Sequence, residues 1–101
     1  MRGEDADSMQ NSTALGGMSL IQRQIHEYVV TNFLFDGSSA AFTDDTPLVE
    51  GAILDETGVL ELVLFIEETY GALVNEDDVT PENFGSVKAI ASYVYRLLAN
   101  S

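Results

Sequence analysis

Residues 55–71 read Asp55-Glu56-Thr57-Gly58-Val59-Leu60-Glu61-Leu62-Val63-Leu64-Phe65-Ile66-Glu67-Glu68-Thr69-Tyr70-Gly71, and the spacing of their apolar residues decides the fold. Val59, Leu62, Val63, Ile66 and Tyr70 follow the i, i+3, i+4, i+7, i+11 pattern of one buried helical face. Asp55 stands where a side-chain oxygen can cap the first free N–H groups. Gly71 stands where a helix ends on a left-handed residue. The opposite face sets Leu60 and Leu64 beside Glu61 and Glu68, with Phe65 near the border. Apolar residues mixed with acids on an outward face suit a docking surface. They also fit scattered exposed apolars, or a core buried on more than one side.

Downstream, Thr80-Pro81-Glu82-Asn83-Phe84 marks a short helix: Thr80 as cap, Pro81 at the first helical position, Glu82 at the positive end of the dipole. Ser86 caps the next helix, whose buried stripe is Val87, Ile90, Ala91, Val94 and Leu98. Upstream, a helix is expected from near Ser19, where Ser19 and Gln22 fit a capping box. Its face holds Ile21, Ile25, Tyr28, Val29 and Asn32, and the pattern stops around Phe35-Asp36-Gly37-Ser38-Ser39. Between these two helices lies a long connection, about Asp36 to Leu54. Asp44-Asp45-Thr46-Pro47 reads there as a turn or a single helical turn. Leu48, Val49, Ile53 and Leu54 are expected to pack the connection onto the core, and loops of this length are often functional. Residues 1–17 are polar, small and without periodicity, ending at Gly16-Gly17, and are expected to form a flexible N-terminal tail. The expected fold class is all-α: a four-helix bundle with a long loop between helices one and two and a short third helix.

Charge narrows the function. Seventeen acids face four bases across 101 residues, a formal net charge of -13. No Lys or Arg occurs between Arg23 and Lys88, a stretch that carries Glu27, Asp36, Asp44, Asp45, Glu50, Asp55, Glu56, Glu61, Glu67, Glu68, Glu76, Asp77, Asp78 and Glu82. Nucleic-acid binding needs a positive footprint and is excluded as an expectation. Anionic membrane surfaces are disfavoured by the same repulsion, whereas a basic partner patch would be steered in. No run approaches the roughly 18 apolar residues of a membrane span. The start, Met1-Arg2-Gly3-Glu4-Asp5, lacks the apolar core of a signal peptide. A cytoplasmic monomer is expected, and the sequon Asn11-Ser12-Thr13 is idle there. With no cysteine, disulfide and thiolate chemistry are absent. The lone His26 lacks partners for a metal site or a catalytic triad and reads as a structural residue. The adjacent pairs Asp44-Asp45, Glu67-Glu68 and Asp77-Asp78 read as solvated. No stretch matches a calcium loop or a phosphate-cradling glycine loop, so neither an enzyme nor a metal site is expected.

In order and spacing, Thr46-Pro47-Leu48-Val49-Glu50, then residues 53–71, then Val79-Thr80-Pro81-Glu82-Asn83-Phe84-Gly85-Ser86-Val87, resemble the acyl and peptidyl carrier protein family. The resemblance covers about Ser19 to Leu98 and implies a carrier-protein domain over residues 18–101. It further implies a 4'-phosphopantetheine arm on a serine that follows the Asp at the start of helix two. An acyl or aminoacyl group rides on that arm as a thioester. The implied partners are a phosphopantetheinyl transferase, an acyl- or aminoacyl-loading ligase, and acceptor enzymes with basic docking patches. The resemblance assigns helix two as the docking surface: Thr57, Leu60, Glu61, Leu64, Glu67 and Glu68, with Leu60, Glu61 and Leu64 foremost.

One departure matters. Asp55-Glu56 stands where the family has Asp-Ser. A carboxylate attacking the diphosphate of coenzyme A would give a hydrolysable mixed anhydride, so the arm is expected to be absent at Glu56. Thr57 has a hydroxyl, but one residue along a helix turns it by about 100°. Three readings of Glu56 stand side by side. It is an engineered replacement in a working carrier, or the mark of a natural arm-less interaction or regulatory subunit. The third is structural, an acid favoured in the first helical turn. Gly51-Ala52 before Ile53 is a smaller departure, because related carriers often have a glycine nearer that isoleucine.

Overall fold

The computed structural model describes residues 2–34 and 41–100, with side chains from Gly17 onward. Among the described residues four α-helices follow in order: α1 (Arg2–Phe33), α2 (Glu56–Tyr70), α3 (Pro81–Phe84) and α4 (Val87–Ala99). A 3-10 turn, Glu76–Asp78, lies between α2 and α3. The fold is an all-helical bundle with a long loop after α1 and a short third helix, as expected.

Three of the four helix starts are set by side chains placed for the purpose. Asp55 is extended (φ -98°, ψ -171°), and the Gly58 N–H donates to its Oδ1 at 2.8 Å. The Asn83 N–H donates to Thr80 Oγ1 at 3.3 Å, with Pro81 first in α3. The Ala89 N–H donates to Ser86 Oγ at 3.1 Å. Each satisfies a donor that the helix cannot, typically contributing about 1 kcal/mol. Gly71 ends α2 at φ +66°, ψ +31°, its N–H donating to the Glu67 carbonyl. Only glycine takes that conformation without steric cost.

The start of α1 differs from the expectation. The helix begins at Arg2, so Ser19 is a mid-helix residue and no capping box forms with Gln22. It includes most of the stretch assigned to an N-terminal tail. Glycine costs a helix about 1 kcal/mol relative to alanine but does not forbid it, so Gly16-Gly17 did not mark an end. The expected helix end near Phe35 and the start of the connection, residues 35–40, lie outside the described residues.

The core is wholly apolar. Ile21, Ile25 and Val29 of α1, Leu62 and Ile66 of α2, Phe84 of α3, and Val87, Ile90, Ala91, Tyr93 and Val94 of α4 are buried, with no buried polar or charged side chain among the described residues. Leu98, assigned to the α4 stripe, is half-buried, as are Val59, Val63 and Tyr70 of α2. Gly58 is also buried. A Cβ there would stand 3.2 Å from both Leu54 Cδ2 and Phe33 Cε1, so its bare backbone lets the start of α2 approach the end of α1.

The α1–α2 loop is pinned rather than loose. Leu48 and Leu54 are buried and Ile53 half-buried; Val49, expected to pack inward, is 53% exposed. The Leu48 N–H donates to the Gly85 carbonyl at 2.9 Å, and the Leu48 carbonyl accepts from Ile53 (2.8 Å) and Leu54 (3.0 Å). Asp44, expected to be solvated, is half-buried and joins three elements. It accepts from His26 Nδ1 at 2.7 Å and from Gln22 Nε2 at 2.5 Å, and its carbonyl accepts from the Lys88 N–H at 2.9 Å. Asp78 likewise is not free: it accepts from the Tyr93 hydroxyl at 2.9 Å. Burial, then that hydrogen bond, raise the Tyr93 phenol above its usual pKa.

Ala52 carries φ +62°, the only non-glycine positive φ among the described residues. A left-handed alanine costs about 1 kcal/mol, and Ala52 is exposed, so its methyl offers little in return. Ala52→Gly is expected to raise stability by roughly 0.5 kcal/mol, part of the relief being offset by the freer unfolded chain. Equilibrium urea unfolding checks this, and a lower midpoint in the variant would count against the strained turn.

Candidate functional site

At the head of α2 the Asp55 carboxylate closes the cap by accepting from the Gly58 N–H. Asp55, Glu56 and Thr57 are all exposed. Glu56 is the first helical residue, one position past the cap and ahead of the free N–H groups that favour an anion.

Along the helix the period separates two faces. Leu60 is 63% exposed and Leu64 56%, with Glu61 and Glu68 exposed beside them, whereas Leu62 and Ile66 are fully buried. Glu67 differs from the other residues assigned to this face. It is half-buried, and its Oε2 accepts from the Val74 N–H at 3.0 Å, so it ties down the chain that follows Gly71. Asp55, Glu56 and Leu60 meet Val49, Val59 and Val79 around an open, mostly apolar groove of about 530 Å³. Val49 was expected to pack onto the core and Val79 was given no role at the site, so neither was assigned to this groove from sequence. Neither belongs to the period of α2, and only the folded loop and the approach to α3 bring them to it.

Toward α1, the Tyr28 ring stacks on Phe65, with centroids 4.1 Å apart, and its hydroxyl donates to the Glu61 carbonyl at 3.3 Å. The Tyr70 hydroxyl donates to Gln24 Oε1 at 2.7 Å. The Tyr28 phenol is raised above its usual pKa, by burial first and then by the charges of Glu61 and Glu68.

The arrangement offers docking chemistry. Among the described residues no group of three or more His, Cys, Asp or Glu could hold a metal ion, and no helix is long and apolar enough to cross a membrane. A 4'-phosphopantetheine arm would require a nucleophilic oxygen at the start of α2. Glu56 has no hydroxyl, and that of Thr57 lies one residue further along the helix.

No protein-family model matches the chain. Among curated proteins it is 27% identical over 81 residues to the probable acyl carrier protein PigG of Serratia sp. (strain ATCC 39006), covering 80% of this chain and 92% of that protein. Among solved structures, KstB-PCP in its apo form matches with a TM-score of 0.56 and 31% identity, over 69% of this chain and 77% of that one. A chain in a crystal structure of a FAD-dependent dehydrogenase matches with a TM-score of 0.64 and 28% identity, over 70% of this chain and 99% of that one.

Proposed function

Because the chain belongs to the acyl and peptidyl carrier protein family, we propose that it is a carrier-lineage docking protein whose α2 face engages biosynthetic enzymes while position 56 is closed to the prosthetic arm. Carrier proteins are not themselves catalytic, and this chain is not an enzyme. The family presents thioester-bound acyl or aminoacyl groups on 4'-phosphopantetheine. In this chain Glu56 stands at the position that the resemblance assigns to the attachment serine.

The observation that carries the reading is the pair of exposed leucines, Leu60 and Leu64, set among Glu56, Glu61 and Glu68 on the outward face of α2. An apolar pair can anchor an interface while surrounding acids steer a basic surface toward it. A phosphopantetheinyl transferase is the first partner to test, since it must grip the start of this helix in any carrier. The match to the FAD-dependent dehydrogenase structure nominates an enzyme of that class for the same titration.

Isothermal titration of the transferase with the wild-type chain is expected to give binding that weakens as salt rises. Leu64→Ala and Glu61→Lys should each weaken it by about tenfold or more. Both side chains are exposed, so the fold should survive. Equal affinity for wild type and both variants would remove α2 as the docking face.

A further inference from the structure

The surface where α1 meets α2 holds a feature that the leucine pair does not use. Gln24, Glu27, Tyr28 and Thr31 of α1 face Phe65 and Thr69 of α2 across an open groove of about 360 Å³. Its aromatic wall is braced at both ends. Phe33 meets Tyr28 edge-on at 5.9 Å, and Tyr70 meets Phe65 edge-on at 6.4 Å. The surroundings are acidic: Glu27 lines the groove, and the charges of Glu61 and Glu68 are felt at the Tyr28 hydroxyl. All three glutamates are exposed, and none makes an ion pair among the described residues. The chain itself supplies no Lys or Arg from residue 24 to residue 87.

An aromatic face attracts a cation, and carboxylates attract it further. The two kinds of basic side chain differ here. A guanidinium is planar, stacks on rings and takes a carboxylate with two parallel hydrogen bonds, whereas an ammonium is a compact, strongly hydrated point charge. We infer that this groove seats an arginine side chain of the partner enzyme, held against the Tyr28–Phe65 pair and between the carboxylates of Glu27, Glu61 and Glu68. The inference rests on the docking function proposed above and deepens it. The leucine pair supplies apolar anchorage, and the α1–α2 groove selects which basic residue the partner must bring.

The test uses the full chain and two end-capped peptides, hexa-arginine and hexa-lysine, titrated separately with amide chemical shifts as the readout. The arginine peptide should bind about tenfold tighter, with the largest shifts at Gln24, Glu27 and Thr31. Tyr28→Leu should abolish that preference while leaving hexa-lysine binding in place. Glu68→Gln, at an exposed position that cannot threaten the fold, should reduce the preference several-fold. Leu60→Ala should leave it unchanged. Equal affinities for the two peptides, or a preference that survives both Tyr28→Leu and Glu68→Gln, would overturn the inference. The transferase titration reads Leu64 and Glu61, and the peptide comparison reads arginine against lysine, so the two claims fail separately.

Discussion

Leu48→Ala is expected to lower the unfolding free energy by about 3 kcal/mol, within the range for emptying a fully buried leucine site. Leu48 has no exposed surface, and its backbone is bonded on both sides, to Gly85 before α4 and to Ile53 and Leu54 before α2. Domains of this size have about 5–15 kcal/mol in total, so the loss is a large fraction. It is also local in its consequences, because Leu48 holds the loop that delivers Asp55 to the head of α2. Loosening it should weaken partner binding at temperatures where α4 is still folded. Equilibrium urea unfolding, with Leu73→Ala as the control, checks the energy. Leu73 is 84% exposed, and its truncation should change stability by less than about 0.5 kcal/mol. Similar losses for the two variants would mean that the loop is not anchored as described.

Both ends of α2 and the starts of α3 and α4 were legible because they are local. Asp55, Gly71, Thr80-Pro81 and Ser86 each satisfy or release a backbone group within a few residues, so the sequence around them carries the whole argument. The start of α1 was not legible, since two glycines weaken a helix without ending it and residues 1–17 offered no periodicity to outweigh them. The 3-10 turn at Glu76–Asp78 was missed for another reason. The pair Asp77-Asp78 read as solvated, but Asn75 caps the turn by accepting from the Asp77 N–H at 2.9 Å, and Asp78 finds a partner fifteen residues away in Tyr93. Asp44 shows the same blindness to long-range pairing. At the candidate site, the period of α2 set Leu60 and Leu64 on the face opposite the buried stripe but left open a core buried on more than one side; the structure exposes both. The stacking of Tyr28 on Phe65 did not follow from that period, because it depends on how α1 and α2 align. Its traces in the sequence are Tyr28, placed on the face of the first helix, and Phe65, placed at the border of the two faces of α2.

Glu56→Ser is expected to convert the chain from one that accepts no prosthetic arm into one that accepts a single arm. The substitution asks little of the fold. Residue 56 is exposed, and the cap is made by the Asp55 side chain and the Gly58 N–H, neither of which involves it. Losing an acid from the first turn costs a few tenths to about 1 kcal/mol. The serine hydroxyl would then stand at the head of α2, beside the exposed leucines that the transferase is proposed to grip. The most direct measurement is therefore the intact mass of both proteins after incubation with coenzyme A and a broad-specificity phosphopantetheinyl transferase. The wild-type mass should stay unchanged while Glu56→Ser gains one phosphopantetheine. A gain on the wild-type chain, or no gain on Glu56→Ser, would contradict the assignment of residue 56 as the closed attachment position.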